Sequence, residues 1–145
     1  MGGESIHVEG SLDSLALKLR GHPEWRWLCG MACNYKNGFA GRVDESWTET
    51  HRRKAQCFHP DLNDPATVGS IWRIFWDDMP RGTVTRVLTD HGQTTVSIEM
   101  PGLRGGWRNC HMEMFAENPG LVAAAALLWM WSRKKRLNAR RMAQC

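Results

Sequence analysis

The sequence predicts a single α+β domain in which an antiparallel sheet of three to four strands packs against or between helices, an α-β-α sandwich-like plan. Three observations lead there. Asp64-Pro65 and Asn118-Pro119 repeat one helix-start signal, a capping side chain followed by proline, and each precedes apolar residues at helical spacing. Between them, residues 83–89 and 94–100 are rich in Thr and Val around Asp90-His91-Gly92, the pattern of a β-hairpin. With 145 residues, 42% of them apolar and 23% charged, the chain is long enough for one ordinary core.

In chain order, residues 1–10 carry little pattern and read as a flexible N-terminal arm. Leu12, Leu15, Ala16 and Leu19 then share one helical face behind a Ser11 cap, and Gly21, His22 and Pro23 break that helix. Trp25, Trp27, Leu28 and Met31 fit no single template. Residues 34–44 are turn-rich around Asn37-Gly38 and Gly41, with one short strand near 39–43, and 45–56 read as a polar loop or exposed helix around Trp47.

The helix opened by Asp64 is the strongest element. Val68, Ile71, Trp72, Phe75 and Met79 form one stripe, and Pro80 and Gly82 stop it. Burying each large side chain is worth roughly 1.5–3 kcal/mol, so the stripe alone matches a small domain's net stability. It is a scaffold that carries no chemistry. In the hairpin's return strand, Thr94, Val96, Ile98 and Met100 face one way and Thr95, Ser97 and Glu99 the other, which buries one face. Pro101-Gly102 and Gly105-Gly106 turn the chain, and residues 107–115 make a third strand with Cys110, Met112 and Met114 together. Leu121 to Trp131 is apolar at all eleven positions. That run spans about 17 Å, against about 30 Å for a bilayer core, so it is a buried helix or one whose second face meets a partner, a second copy included. The domain is thus expected over 11–132, with 133–145 a basic tail or helix extension.

Composition narrows the function classes. A formal charge of +4 is modest for a dedicated nucleic-acid binder, and much of the excess lies in the last thirteen residues. Eight tryptophans against one tyrosine favour core or hot-spot use. Five cysteines without a leading basic-then-apolar segment fit free thiols in a reducing cytosol.

Few residues have catalytic spacing. Zinc is the sharpest chemical possibility: Cys29 and Cys33 are four apart, on one face if 24–34 is helical, and Cys57 and His59 complete a set of four. Buried thiols are the default alternative. Cys110 and His111 are adjacent and point to opposite faces of a strand, so they form no nucleophile–base pair. Asp77-Asp78 reads as a solvated helix end. No phosphate loop, dinucleotide fingerprint, nucleophile elbow or zinc-protease motif is present, and no enzymatic activity or resident cofactor is expected. The basic end has three readings: a solvated end favoured by the helix dipole; membrane-surface docking with Trp129 and Trp131; or nucleic-acid phosphate contacts by Arg133, Lys134, Lys135, Arg136, Arg140 and Arg141, helped by Arg52, Arg53 and Lys54. Trp72 and Trp76 are read as core. Trp25, Trp27, Trp47 and Trp107 lie beside turns and are the candidates for a partner-binding surface.

Two phrases, His22-Pro23-Glu24-Trp25-Arg26-Trp27 with Gly30-Met31 and Asp61-Leu62-Asn63-Asp64-Pro65-Ala66-Thr67-Val68-Gly69, resemble small accessory proteins of tailed bacteriophages and prophages. In those, a helix opened by the second phrase leads to strands and an alanine-rich terminal helix. The resemblance implies a phage gene product in the bacterial host cytoplasm that binds a host protein or defence complex, an inhibitor of CRISPR–Cas being one such role. The basic C-terminus, Trp129, Trp131 and the cysteine count depart from that pattern.

Overall fold

The structure, a computed structural model, describes residues 5–35, 38–46, 58–101 and 110–143. Its elements are β1 (Ser5–His7), α1 (Leu12–Arg20), β2 (Ala32–Tyr35), β3 (Gly38–Arg42), β4 (His59–Pro60), α2 (Pro65–Asp78), β5 (Val84–Asp90), β6 (Gln93–Met100), β7 (Cys110–Ala116) and α3 (Pro119–Ala143).

The apolar run of α3 is explained by what surrounds it. One side lies on β6 and β7, and the others meet α1 and α2. Val122, Ala123, Ala126, Leu127 and Met130 are fully buried, against Val96, Ile98 and Met100 of the sheet and Ile71, Ile74 and Phe75 of α2 in one core. The domain buries seven of the eleven positions, while Leu121, Ala125, Leu128 and Trp129 stay half-buried. No helix among the described residues is long and apolar enough to cross a membrane.

The expected alternation of β6 holds: Thr94, Val96, Ile98 and Met100 are buried and their neighbours half-buried. Among the described residues the helices cover only that inner face, so the sheet packs against helices and is not enclosed between them. Two further expectations are corrected. The supposed arm supplies β1, which pairs parallel with β7 and gives the order β1-β7-β6-β5, so the sheet is not purely antiparallel. Val8 beside β1 is buried in the core, and that anchors a segment with no pattern of its own. The turn-rich stretch holds two strands, not one, and with β4 they form a second sheet, β3-β2-β4. Trp76 is also corrected. It is 52% exposed, because the buried arc of α2 runs through Ile71, Trp72, Ile74 and Phe75 and ends before it.

Asp64 starts α2 as expected, and the structure adds why the start is firm. Its carboxylate accepts from the Thr67 N–H at 2.9 Å, from Thr67 Oγ1 at 2.9 Å, and from both Arg42 guanidinium nitrogens at 2.9 and 3.0 Å. Thr67 Oγ1 in turn accepts the Ala32 N–H at 2.8 Å, which ties the small sheet to α2. Arg42 holds the Asp64 carboxyl down at about 2, against an ordinary 3.8. A depressed acid contributes stability that is complete above its unfolded value and is lost as pH falls through the folded one. The Asp64 contribution should therefore fade between about pH 4 and 2. Discounted for the solvent around Arg42, it is worth about 1 kcal/mol. Asp64→Asn should be less stable than the parent at pH 6, with the gap in urea midpoints closing at pH 2.5. A gap that stays constant with pH would contradict the assignment.

Candidate functional site

The face of the larger sheet that no other described element covers is the surface on which the elements bring most functional groups together. Strand register arranges it in three rungs: Val84, Glu99 and His111; Arg86, Ser97, Glu113 and Ser5; Leu88, Thr95, Phe115 and His7. Alternation places these side chains outward, since on β6 and β7 the alternate residues Val96, Ile98, Met114 and Ala116 fill the core. A shallow groove of about 430 Å³ runs over the β5, β6 and β7 members of these rungs as far as Glu113, leaving out Ser5, His7 and Phe115. Ser97 Oγ lies 2.9 Å from His111 Nε2, and the His7 and Phe115 rings sit 5.1 Å apart. Val84 and Leu88 at the rim are 63% and 60% exposed.

Arg86 and two glutamates on this face present both signs of charge beside apolar rims, which suits a protein surface better than a polyanion. Ser97 and His111 stand as a nucleophile and a base would. Acyl transfer, however, also needs N–H donors converging beside the nucleophile. β6 is flanked by β5 and β7, so the amides around Ser97 are engaged in the two ladders. The pair is a hydrogen-bonded polar feature of this face.

The sequence-predicted residues fare differently. Trp25 and Trp27 are half-buried and pack edge to face at 5.5 Å against the core. They are not free anchors, since Arg26 between them is clamped to the end of α2 and pulls the segment onto the domain. Trp47 and Trp107 lie outside the described residues, as do Arg52, Arg53, Lys54 and Cys57.

Of the zinc set, Cys29, Cys33 and His59 lie among the described residues, and they do not share one face. Residues 32–35 are a strand, not a helix, so Cys29 and Cys33 do not share a helical face: Cys29 is exposed in a turn and Cys33 is buried. Cys33 pairs with Pro60 and Asn34 with His59, which puts Cys33 and His59 on opposite faces of the small sheet. Burial pushes the Cys33 thiol pKa up, and its Sγ donates to the Gly41 carbonyl at 3.3 Å. No group of three or more potential ligands occurs among the described residues.

The basic end is a helix extension, since α3 runs on to Ala143. Lys134 Nζ donates to the Asp78 carbonyl at 2.6 Å, and Arg133 is half-buried with its Nε enclosed. Lys135 and Arg136 are exposed, and the side chains of Arg140 and Arg141 lie outside the described set. The cationic run is therefore partly spent on the fold, which weakens it as a phosphate track.

Asp78 is the residue whose role sequence reasoning missed. Far from being a solvated end, its carboxylate accepts from both Arg26 guanidinium nitrogens at 2.9 and 2.8 Å and from Trp131 Nε1 at 2.8 Å. Arg26 beside it lowers the Asp78 pKa. Its partners lie 52 and 53 residues away, beyond any local signal.

Fold and surface together define a class: an α+β domain whose four-stranded sheet is helix-covered on one face and open, mixed in charge and apolar at its rim on the other. No protein-family model, curated protein or solved structure matches the chain.

Proposed function

We propose that this chain is a protein-binding factor that works by occlusion, its open sheet face seating on a bacterial protein. The observation that supports it is that face itself: three rungs of outward side chains with apolar rims and both signs of charge around a shallow groove. Preformed sheets bind with little ordering cost, and complexes of this kind bury roughly 1,200–2,000 Å² in total. The likeness of the two sequence phrases to phage accessory proteins favours a host defence complex as target, CRISPR–Cas among them.

The test is phage plating on cells carrying a panel of active defences, with and without this gene. Restored plating on one defence strain identifies the target. Ser97→Arg and Glu113→Arg, both at the middle of the face, should then abolish the rescue while leaving the melting temperature near the parent's. Loss of one central contact is worth about 2 kcal/mol, or about thirtyfold in affinity. Rescue that survives both substitutions would place the contact elsewhere, and unchanged plating across the panel would defeat the reading.

A further inference from the structure

The outer edge of β5 is a second surface, and the inference from it is independent of the function proposed above. Among the described residues β5 has β6 on one side and no strand on the other. Val84, Val87 and Leu88 are 63%, 40% and 60% exposed along it. Proteins usually blunt such an edge with lysine, proline or a bulge. This one reads Val-Thr-Arg-Val-Leu-Thr-Asp and keeps unbroken register with β6 from Val84 to Asp90.

The turn settles which main-chain groups face outward. His91 and Gly92 both have positive φ, 51° and 75°, the two-residue type I′ hairpin turn, which closes on a hydrogen-bonded Asp90–Gln93 pair. Bonded and unbonded pairs alternate from there. Leu88 and Arg86 therefore bond to β6, while Val87 and Thr89 aim their N–H and C=O groups at the open edge.

We infer that this edge pairs antiparallel with the same edge of a second copy, about a twofold axis at Leu88. Charge selects both occupant and register. With the axis at Leu88, Arg86 stands opposite the partner's Asp90 and Asp90 opposite the partner's Arg86, and Leu88 meets the partner's Leu88. Val87 exchanges main-chain bonds with the partner's Thr89. With the axis at Val87 instead, Arg86 would oppose the partner's Leu88 and Asp90 the partner's Val84, and both ion pairs vanish. A twofold axis makes every cross-strand pair occur twice, so a strand carrying a cation and an anion two positions either side of an exposed leucine is complementary to itself. The dimer extends the sheet and sets the two outer grooves side by side.

Sedimentation velocity on the full chain at micromolar concentrations should show a monomer–dimer equilibrium. Arg86→Glu alone and Asp90→Arg alone each set like charges opposite one another, and each should raise the dimer dissociation constant at least about tenfold. The double variant R86E/D90R should restore it to within about threefold of the parent. Leu88→Arg, an exposed position away from the turn, should also give monomers, with its far-UV spectrum and melting temperature showing that the fold is kept. Monomer at every concentration overturns the inference. So does a dimer indifferent to the single reversals, or one that the double reversal fails to restore. None of these readouts depends on phage plating, so the two proposals fail separately.

Discussion

Gly120→Ala should destabilise the domain by about 3–5 kcal/mol, the range of the worst overpacking changes. Gly120 sits in the first turn of α3 behind the Asn118 cap, whose Oδ1 accepts from the Gly120 N–H at 2.7 Å. A Cβ there would lie 2.0 Å from the Leu62 carbonyl oxygen, 2.9 Å from its carbon and 3.0 Å from Asn118 Oδ1. The two nearest of these atoms are backbone, and Leu62 is itself buried in the core, so it cannot swing away. Either the helix start or the residue 62 loop must move by about an ångström, and the Asn118–Asn63 side-chain bond at 2.9 Å is strained with it. Helix propensity alone predicts the reverse, since alanine is favoured over glycine by about 1 kcal/mol. Gly69 supplies the control: it lies within α2, is exposed, and has nothing within 4 Å of its would-be Cβ. Gly69→Ala should therefore stabilise by about 0.5–1 kcal/mol. Urea denaturation of both variants measures the pair. Equal effects, or a Gly120→Ala within 1 kcal/mol of the parent, would show that the close approach is not there.

Asp78→Ala should cost about 3 kcal/mol. The largest part comes from Trp131, only 3% exposed, whose Nε1 would lose its acceptor; an orphaned buried donor costs about 1–3 kcal/mol. The Arg26 pair adds less than its two-pronged geometry suggests, because the Arg26 side chain is 38% exposed. Asp78→Asn keeps one acceptor oxygen for Trp131 and should recover about 1 kcal/mol of the loss. Arg26→Lys should not substitute for arginine, since an ammonium cannot engage both carboxylate oxygens in plane. If Trp131 carries the main effect, Asp78→Ala in a Trp131→Phe background should cost at least 1 kcal/mol less than in the parent, because the donor to be orphaned is already gone. Additive losses would refute that assignment.

The Asp78 cluster also positions what lies around it. Arg26 pins the Trp25–Trp27 segment, Trp131 fixes α3 against α2, and Lys134 closes over the end of α2. His22 stacks on the same Trp131 at 4.4 Å, and burial lowers its pKa. One carboxylate thus joins two helices and the segment after α1, and this is where the cationic start of the basic run is consumed.

The elements with a local physical cause were legible in the chain itself. Ser11, Asp64 and Asn118 cap helices because short polar side chains meet free N–H groups one turn on, and that chemistry needs only neighbours. The β5–β6 hairpin and the inward face of β6 likewise follow from His91-Gly92 and strict alternation. What pairs across distance was not legible. β1 has no pattern, yet it is a strand because β7 offers an edge and the core accepts Val8. Cys29 and Cys33 look like ligands until β2 separates Cys33 from His59. Trp25 and Trp27 look exposed until Arg26 reaches Asp78.

The amino-acid sequence determined, by itself, the helix starts, the hairpin and the mixed fold class, because each depends on residues within a turn or two of each other. Only the tertiary structure decided that Gly120 lies against the Leu62 backbone, that Asp78 is a hub, and that among the described residues one sheet face and one sheet edge remain open. The reason is physical: closeness, burial and exposure are set by which distant surfaces meet, and no local pattern encodes that meeting.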